Sequence, residues 1–133
     1  MNGYHDDIEK QTVGNADFRR VLYTGKNLQL VLMTLQPCEE IGSEVHEDRD
    51  QFFRFEEGAG KAFIDDNIYE VVDGSGLIVP AGARHDVRNT GDAPLKMYTL
   101  YGPPEHIDNI VHATKAEAEA RHADEEWDGK TTE

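Results

Sequence analysis

The chain has 133 residues, one domain's worth, with 27 acidic against 13 basic side chains and a net charge of −14. So large an acidic excess disfavours binding to a nucleic-acid backbone or an anionic membrane, while a chain of this length buries roughly two-thirds of its unfolded surface, enough for a core. The single cysteine, Cys38, excludes an internal disulfide and a cysteine-based zinc site, which fits a reducing, cytoplasmic setting.

In chain order, residues 1–20 read as an N-terminal arm. "MNGYHDDIEK" has no basic start followed by an apolar stretch, so no secretory leader is expected, and no apolar run approaches the length needed to span a bilayer. From Val21 to Leu35, "VLYTGKNLQLVLMTL" predicts two short strands around a Gly25–Asn27 turn, the second apolar on both faces and therefore buried. "QFFRFEEG", "KAFIDDNIYEVV", "GLIVP" and "LKMYTLYGPP" follow, punctuated by Gly58–Gly60, Asp65–Asn67, Asp73–Gly76 and Asn89–Pro94. Short strands at this spacing predict an all-β sandwich or barrel. The end changes character: "TKAEAEARHADEEW" predicts a helix, with Thr114 as N-cap and Glu117 at capping-box spacing, and without a strong apolar stripe. A solvated acidic tail is expected after it. The resulting organisation is an arm over 1–20, a barrel domain over 21–105 and a C-terminal segment over 106–133.

The stretch "EVHEDRDQFF" sets a histidine among carboxylates and ends on two phenylalanines. Residues two apart on a strand share a face, so Glu44 and His46 project together, and Gln51, Phe53 and Phe55 lie on the opposite face from Phe52 and Arg54. Asp48 is also two residues from His46 and is the second choice for the carboxylate. "PAGARHDVRN" supplies another imidazole, His85, after a Pro80–Gly82 turn where a strand would resume.

These residues resemble the cupin family. "GSGLIVPAGARHDVRN" fits the second cupin motif at every position: Gly74, Pro80, Gly82, His85 and Asn89. The first motif keeps its spacing but departs at three of five residues, with Cys38 in place of glycine, Glu44 in place of the first histidine and Gln51 in place of glutamate; His46 and Gly58 agree. The resemblance spans roughly residues 28–103 and implies an antiparallel jelly-roll β-barrel with a short C-terminal helix.

In metal-binding cupins the motif histidines and glutamate are ligands. Carried over by position, the resemblance implies metal ligation by Glu44, His46, Gln51 and His85. Two imidazoles, a carboxylate and an amide suit zinc, manganese, iron or nickel. The same ligand types occur in zinc-dependent phosphomannose isomerases, which are cupins, so zinc is the first expectation. Relatives with a "PPEH" ending often carry the label mannose-6-phosphate isomerase-like, but Arg54 and Arg88 alternate away from the Gln51 and His85 faces, against an inward phosphate clamp. Phe53, Phe55, Met97 and Tyr101 are the expected pocket wall. Tyr101, with Tyr98 beside it, is the candidate proton donor, while Glu47, Asp48 and Asp50 form a solvated rim and His106 and His112 take surface or lid positions. Two readings stay open: an enzyme of isomerase, lyase or dioxygenase type acting on a small molecule, and a small-molecule-binding or structural cupin without turnover. A homodimer is implied by the resemblance.

Overall fold

The computed structural model describes residues 1–121 and 125–133. The elements are α1 (Ile8–Gly14), β1 (Arg19–Thr24), β2 (Gln29–Leu35), β3 (Glu44–Val45), β4 (Asp50–Glu57), β5 (Ala59–Ile64), β6 (Asn67–Val72), β7 (Gly76–Val79), β8 (Arg84–Arg88), β9 (Leu95–Gly102), β10 (Val111–His112) and α2 (Lys115–Arg121). Every strand pairing is antiparallel. A six-stranded sheet runs β10-β1-β2-β9-β4-β7 and a four-stranded sheet runs β3-β8-β5-β6. The two sheets face one another in the expected jelly roll.

Alternation along the strands explains the packing. On β4, Gln51, Phe53 and Phe55 turn inward while Phe52 and Arg54 are only half-buried. β9 does the same with Leu95, Met97, Thr99 and Tyr101. Phe53, Phe55, Leu95, Met97 and Tyr101 join Val31, Met33 and Leu35 of β2, and Ala62 and Val87 of the other sheet, in one apolar cluster. Burying each of the larger aliphatic or aromatic side chains contributes about 1.5–3 kcal/mol.

β2 is buried on both faces, as its sequence predicts. Its inner face joins the core, and its outer face is covered by α1, an element absent from the sequence expectations. Asp7 caps α1 by accepting from the Lys10 amide at 3.1 Å. At the other end Lys96 Nζ donates to the carbonyls of Val13 and Asn15, both at 2.7 Å, satisfying acceptors a helix terminus leaves open. Thr34 and Asn15 tie α1 to β2 through two side-chain hydrogen bonds.

Two glycines permit a close backbone approach around the start of β5. A Cβ on Gly60 would lie 2.3 Å from the Arg88 carbonyl oxygen, and one on Gly58 would lie 2.5 Å from the Pro94 carbonyl oxygen. Gly58 also has φ +93°, a conformation that side chains rarely adopt.

The C-terminal expectations need correction. Helix α2 starts as predicted, with the Glu117 amide donating to Thr114 Oγ1 at 3.2 Å, but the Glu117 carboxylate accepts from Ala113 rather than from the cap residue. It covers only Lys115–Arg121, with Ala118 its buried residue. Residues 122–124 of the predicted helix lie outside the described residues. Glu125–Trp127 are extended, not helical: the Ile107 amide donates to Glu125 O and the Trp127 amide to Glu105 O. The tail is largely exposed yet tethered. The Thr132 amide donates to the Thr24 carbonyl at 2.9 Å and the Thr24 amide donates to Thr132 Oγ1 at 2.8 Å, satisfying the backbone where β1 ends.

Candidate metal centre

β3 is only two residues long, yet its register assembles the site. Glu44 lies directly across from His85 on β8. His46 follows immediately, where the chain turns away, and its carbonyl accepts a 2.8 Å hydrogen bond from the Gly82 amide. Gly82 itself has φ +89°, which lets the turn after Pro80 return the chain into β8 with His85 inward and 2% exposed.

Ligand atoms of Glu44, His46 and His85 lie within 4.8 Å of one another. The two imidazole centroids are 5.2 Å apart. His46 Nε2 sits at ion-pair distance, 3.2 Å, from Glu44 Oε2, though among the described residues no atom is aligned with this buried nitrogen for a well-formed hydrogen bond. His85 Nδ1 lies 3.4 Å from the Ala83 carbonyl, a weak bond that favours a proton on Nδ1 and leaves the lone pair on Nε2.

Gln51 comes from the opposite sheet, as the register partner of Tyr101 on β9. Its Nε2 donates to Thr99 Oγ1 at 3.0 Å, and that hydroxyl donates to the Phe52 carbonyl at 2.8 Å. With the amide nitrogen so anchored, Gln51 Oε1 is buried and has no hydrogen-bond partner among the described residues. Leaving such a group unpaired costs about 1–3 kcal/mol. A carboxylate, two imidazoles and an amide oxygen, several with uncommitted lone pairs, fit a divalent first-row cation.

A second layer of polar groups orients His46. Glu105 Oε2 is 3.5 Å from His46 Nδ1 and is also paired with Arg49. Glu105 is placed by its own amide, which donates to Gln29 Oε1 at 3.1 Å. Burial alone would raise the Glu44 carboxyl, but His46, then Arg19 and His85, hold it below the usual carboxylate range. Burial opposes protonation of His46, yet Glu44 and Glu105 lift it above the ordinary imidazole value. Burial holds His85 below that value and pushes the Tyr101 phenol well above its own.

Of the pocket residues predicted from sequence, Tyr101 is edge-on to His46 with centroids 6.0 Å apart, and Phe53 lies 6.5 Å from His85. Phe55 stacks behind Phe53, and Met97 is fully buried in the core. Tyr98 packs on Phe52 on the other side of the sheet. Asp48, the alternative carboxylate, is solvated and beside Arg49, so Glu44 takes the place next to the histidines. Glu47, Asp48 and Asp50 are exposed. Arg88 pairs with Glu40 and Asp86, and Arg54 with Glu56, all outside the site. His106 and His112 are buried, not superficial: His106 Nε2 lies 3.3 Å from the Tyr101 hydroxyl, and His112 Nε2 lies 2.8 Å from Glu125 Oε2. Thr99, Glu105 and Arg19 escaped the sequence reading, although Thr99 shares the inward phase of Tyr101 and could have been found by alternation.

A model of the cupin domain matches residues 31–101. The chain belongs to the cupin family. The crystal structure of BH2720 from Bacillus halodurans is similar to this cupin at 44% identity and a TM-score of 0.88, over 90% of this chain and 95% of that one. The uncharacterized protein YrkC of Bacillus subtilis (strain 168) is 44% identical over 120 residues, 86% of this chain and 64% of that protein. An uncharacterized protein of Acanthamoeba polyphaga mimivirus is 36% identical over 107 residues, 77% of this chain and 67% of that protein. The cupin thus spans about two-thirds of the length of these two relatives, at 64% and 67%.

Proposed function

We propose that this cupin is a metalloprotein holding one divalent ion through Glu44, His46, Gln51 and His85, and that it acts on a small organic molecule by isomerase-, lyase- or dioxygenase-type chemistry. The observation that carries the proposal is the unpartnered Gln51 Oε1, buried on one sheet beside Tyr101 while the Glu44, His46 and His85 cluster converges from the other. Zinc is the first candidate from the nitrogen and oxygen donor set, with manganese, iron and nickel after it.

When bound, such an ion supplies Lewis acidity toward a carbonyl or hydroxyl oxygen, or a redox couple if it is iron or manganese. The protein's own groups prepare the place. The Ala83 carbonyl favours one tautomer of His85, Glu105 orients the His46 ring, and Thr99 anchors the Gln51 amide. Tyr101, kept protonated by burial, offers a hydroxyl donor at the wall.

Metal content measured by mass spectrometry on untagged protein, purified without added metal or chelator, tests the reading. Near-stoichiometric metal supports it, and its identity selects between isomerase or lyase screens for zinc and oxygen-uptake assays for iron or manganese. Protein that holds no metal, and takes none up on titration with zinc, manganese, iron or nickel, overturns it.

A further inference from the structure

On the far side of Glu44 from the acidic rim lies a second cavity of about 350 Å³. Its lining includes the apolar Phe18, Ile41 and Ala118 and the charged Arg19, Lys115, Glu44 and Glu119. Arg19 opens β1 and has the same inward phase as Val21. It is 7% exposed, its guanidinium carbon lies 5.3 Å from the centroid of the Phe18 ring, and its Nε is buried with no hydrogen-bond partner among the described residues. Among the described residues no carboxylate is within ion-pair distance of it. Its charge is nonetheless felt at both Glu44 and Tyr101.

Burying a guanidinium without an ion-pair partner is unfavourable, so an inward arginine left unpaired beside a cavity marks where an anion would be stabilised. Glu44 is the nearest opposite charge shown to act on Arg19, but it lies beyond ion-pair distance, with its Oε2 3.2 Å from His46 Nε2. Lys115 adds a second positive charge at the outer end, held loosely by Glu119 at 3.8 Å. The other side of Glu44 is the opposite: Glu47, Asp48, Glu105 and Glu126 line that cavity around Arg49 and repel anions.

The geometry points to Arg19 as the carboxylate-binding residue of this cupin, which makes its substrate a small organic acid seated in the Arg19 cavity with its other end toward the Glu44, His46 and His85 cluster. This deepens the metalloprotein reading and rests on it for the role of that cluster. A carboxylate fits better than a doubly charged phosphate because the two cations of the cavity, Arg19 and Lys115, already stand against Glu44 and Glu119, which leaves room for a small negative charge only; the guanidinium fork itself pairs with either anion. The apolar walls formed by Phe18, Ile41 and Ala118 suit a short carbon skeleton.

Calorimetric titration of the metal-loaded protein with acetate, pyruvate and 4-methyl-2-oxopentanoate, each against its methyl ester, tests the assignment. At least one acid is expected to bind about tenfold more tightly than its ester. Arg19→Gln should abolish that preference with metal content and melting temperature maintained, and Arg19→Lys should restore part of it. The proposal is overturned if no acid outbinds its ester, if Arg19→Gln keeps the preference, or if inorganic phosphate outcompetes every acid. An Arg19-dependent acid preference in protein that takes up no metal would uphold the carboxylate site and remove the metal reading. Stoichiometric metal without any acid preference would do the reverse.

Discussion

Glu44 and His85 face each other directly across the β3–β8 pairing, and His46 completes their cluster from the first residue beyond β3. A two-residue strand therefore sets the distance between a carboxylate and two imidazoles.

Replacing His46 or His85 with alanine should remove bound metal while the β-rich circular dichroism persists. The strand ladders on either side do not depend on these side chains. Full metal occupancy in either variant, by mass spectrometry, would show that the cluster is not the ligand set.

Gln51→Glu should tighten metal binding, because a charged oxygen replaces a neutral one at a position already aimed by Thr99. Thr99→Val should do the opposite, by about tenfold, as expected when a group that orients a ligand is lost. Competition titration with a chelating dye reads both. Unchanged affinity in the two variants would mean that Gln51 is only a structural amide.

Metal affinity should fall with acidification at a higher pH than a free imidazole would impose. Proton and metal compete for His46, whose folded pKa is raised by Glu44 and Glu105 above the ordinary value of about 6.5. The same shift stabilises metal-free protein: the contribution is fully present below the unfolded pKa and is lost as pH rises through the folded one. Glu105→Gln should move the fall in affinity to lower pH. A profile identical to wild type would deny Glu105 any part in setting His46.

Cys38 has φ 71°, in the left-handed region, at the position where the first cupin motif has glycine. Cys38→Gly should raise stability by roughly 1 kcal/mol, the strain relieved being partly offset by the greater freedom of glycine in the unfolded chain. Denaturant unfolding measures it, and a destabilised variant would show that the thiol side chain makes a compensating contact.

Strand positions were legible because glycine, asparagine and proline interrupt the chain wherever two strands meet, and Phe53, Phe55 and Met97 keep their phase between those breaks. His85 was legible for the same reason: Gly82 and Asn89 are turn residues, and Asn89 holds its loop by donating to Leu35 O and Ala93 O and accepting from Gly91. Helix α1 was not, since it buries little beyond Thr12 and so lacks an apolar stripe, although Asp7 before it was a usable cap signal. The burial of His106 and His112 arises from contacts with Tyr101 and Glu125 that have no local pattern. Arg19 was overlooked because β1 starts two residues earlier than its apolar run, yet the inward phase of Val21 extends to it.

The candidate ligands come from both walls of the jelly roll, Glu44 and His85 from the four-stranded sheet and Gln51 from the six-stranded one. Any ion held by all of them would act as a rivet between the walls, and β3, paired among the described residues with β8 alone, would gain most from it. Chelation should then accelerate amide hydrogen exchange first along residues 40–49, ahead of β2 and β9 at the middle of their sheet, so the protein would loosen at one rim before it melts.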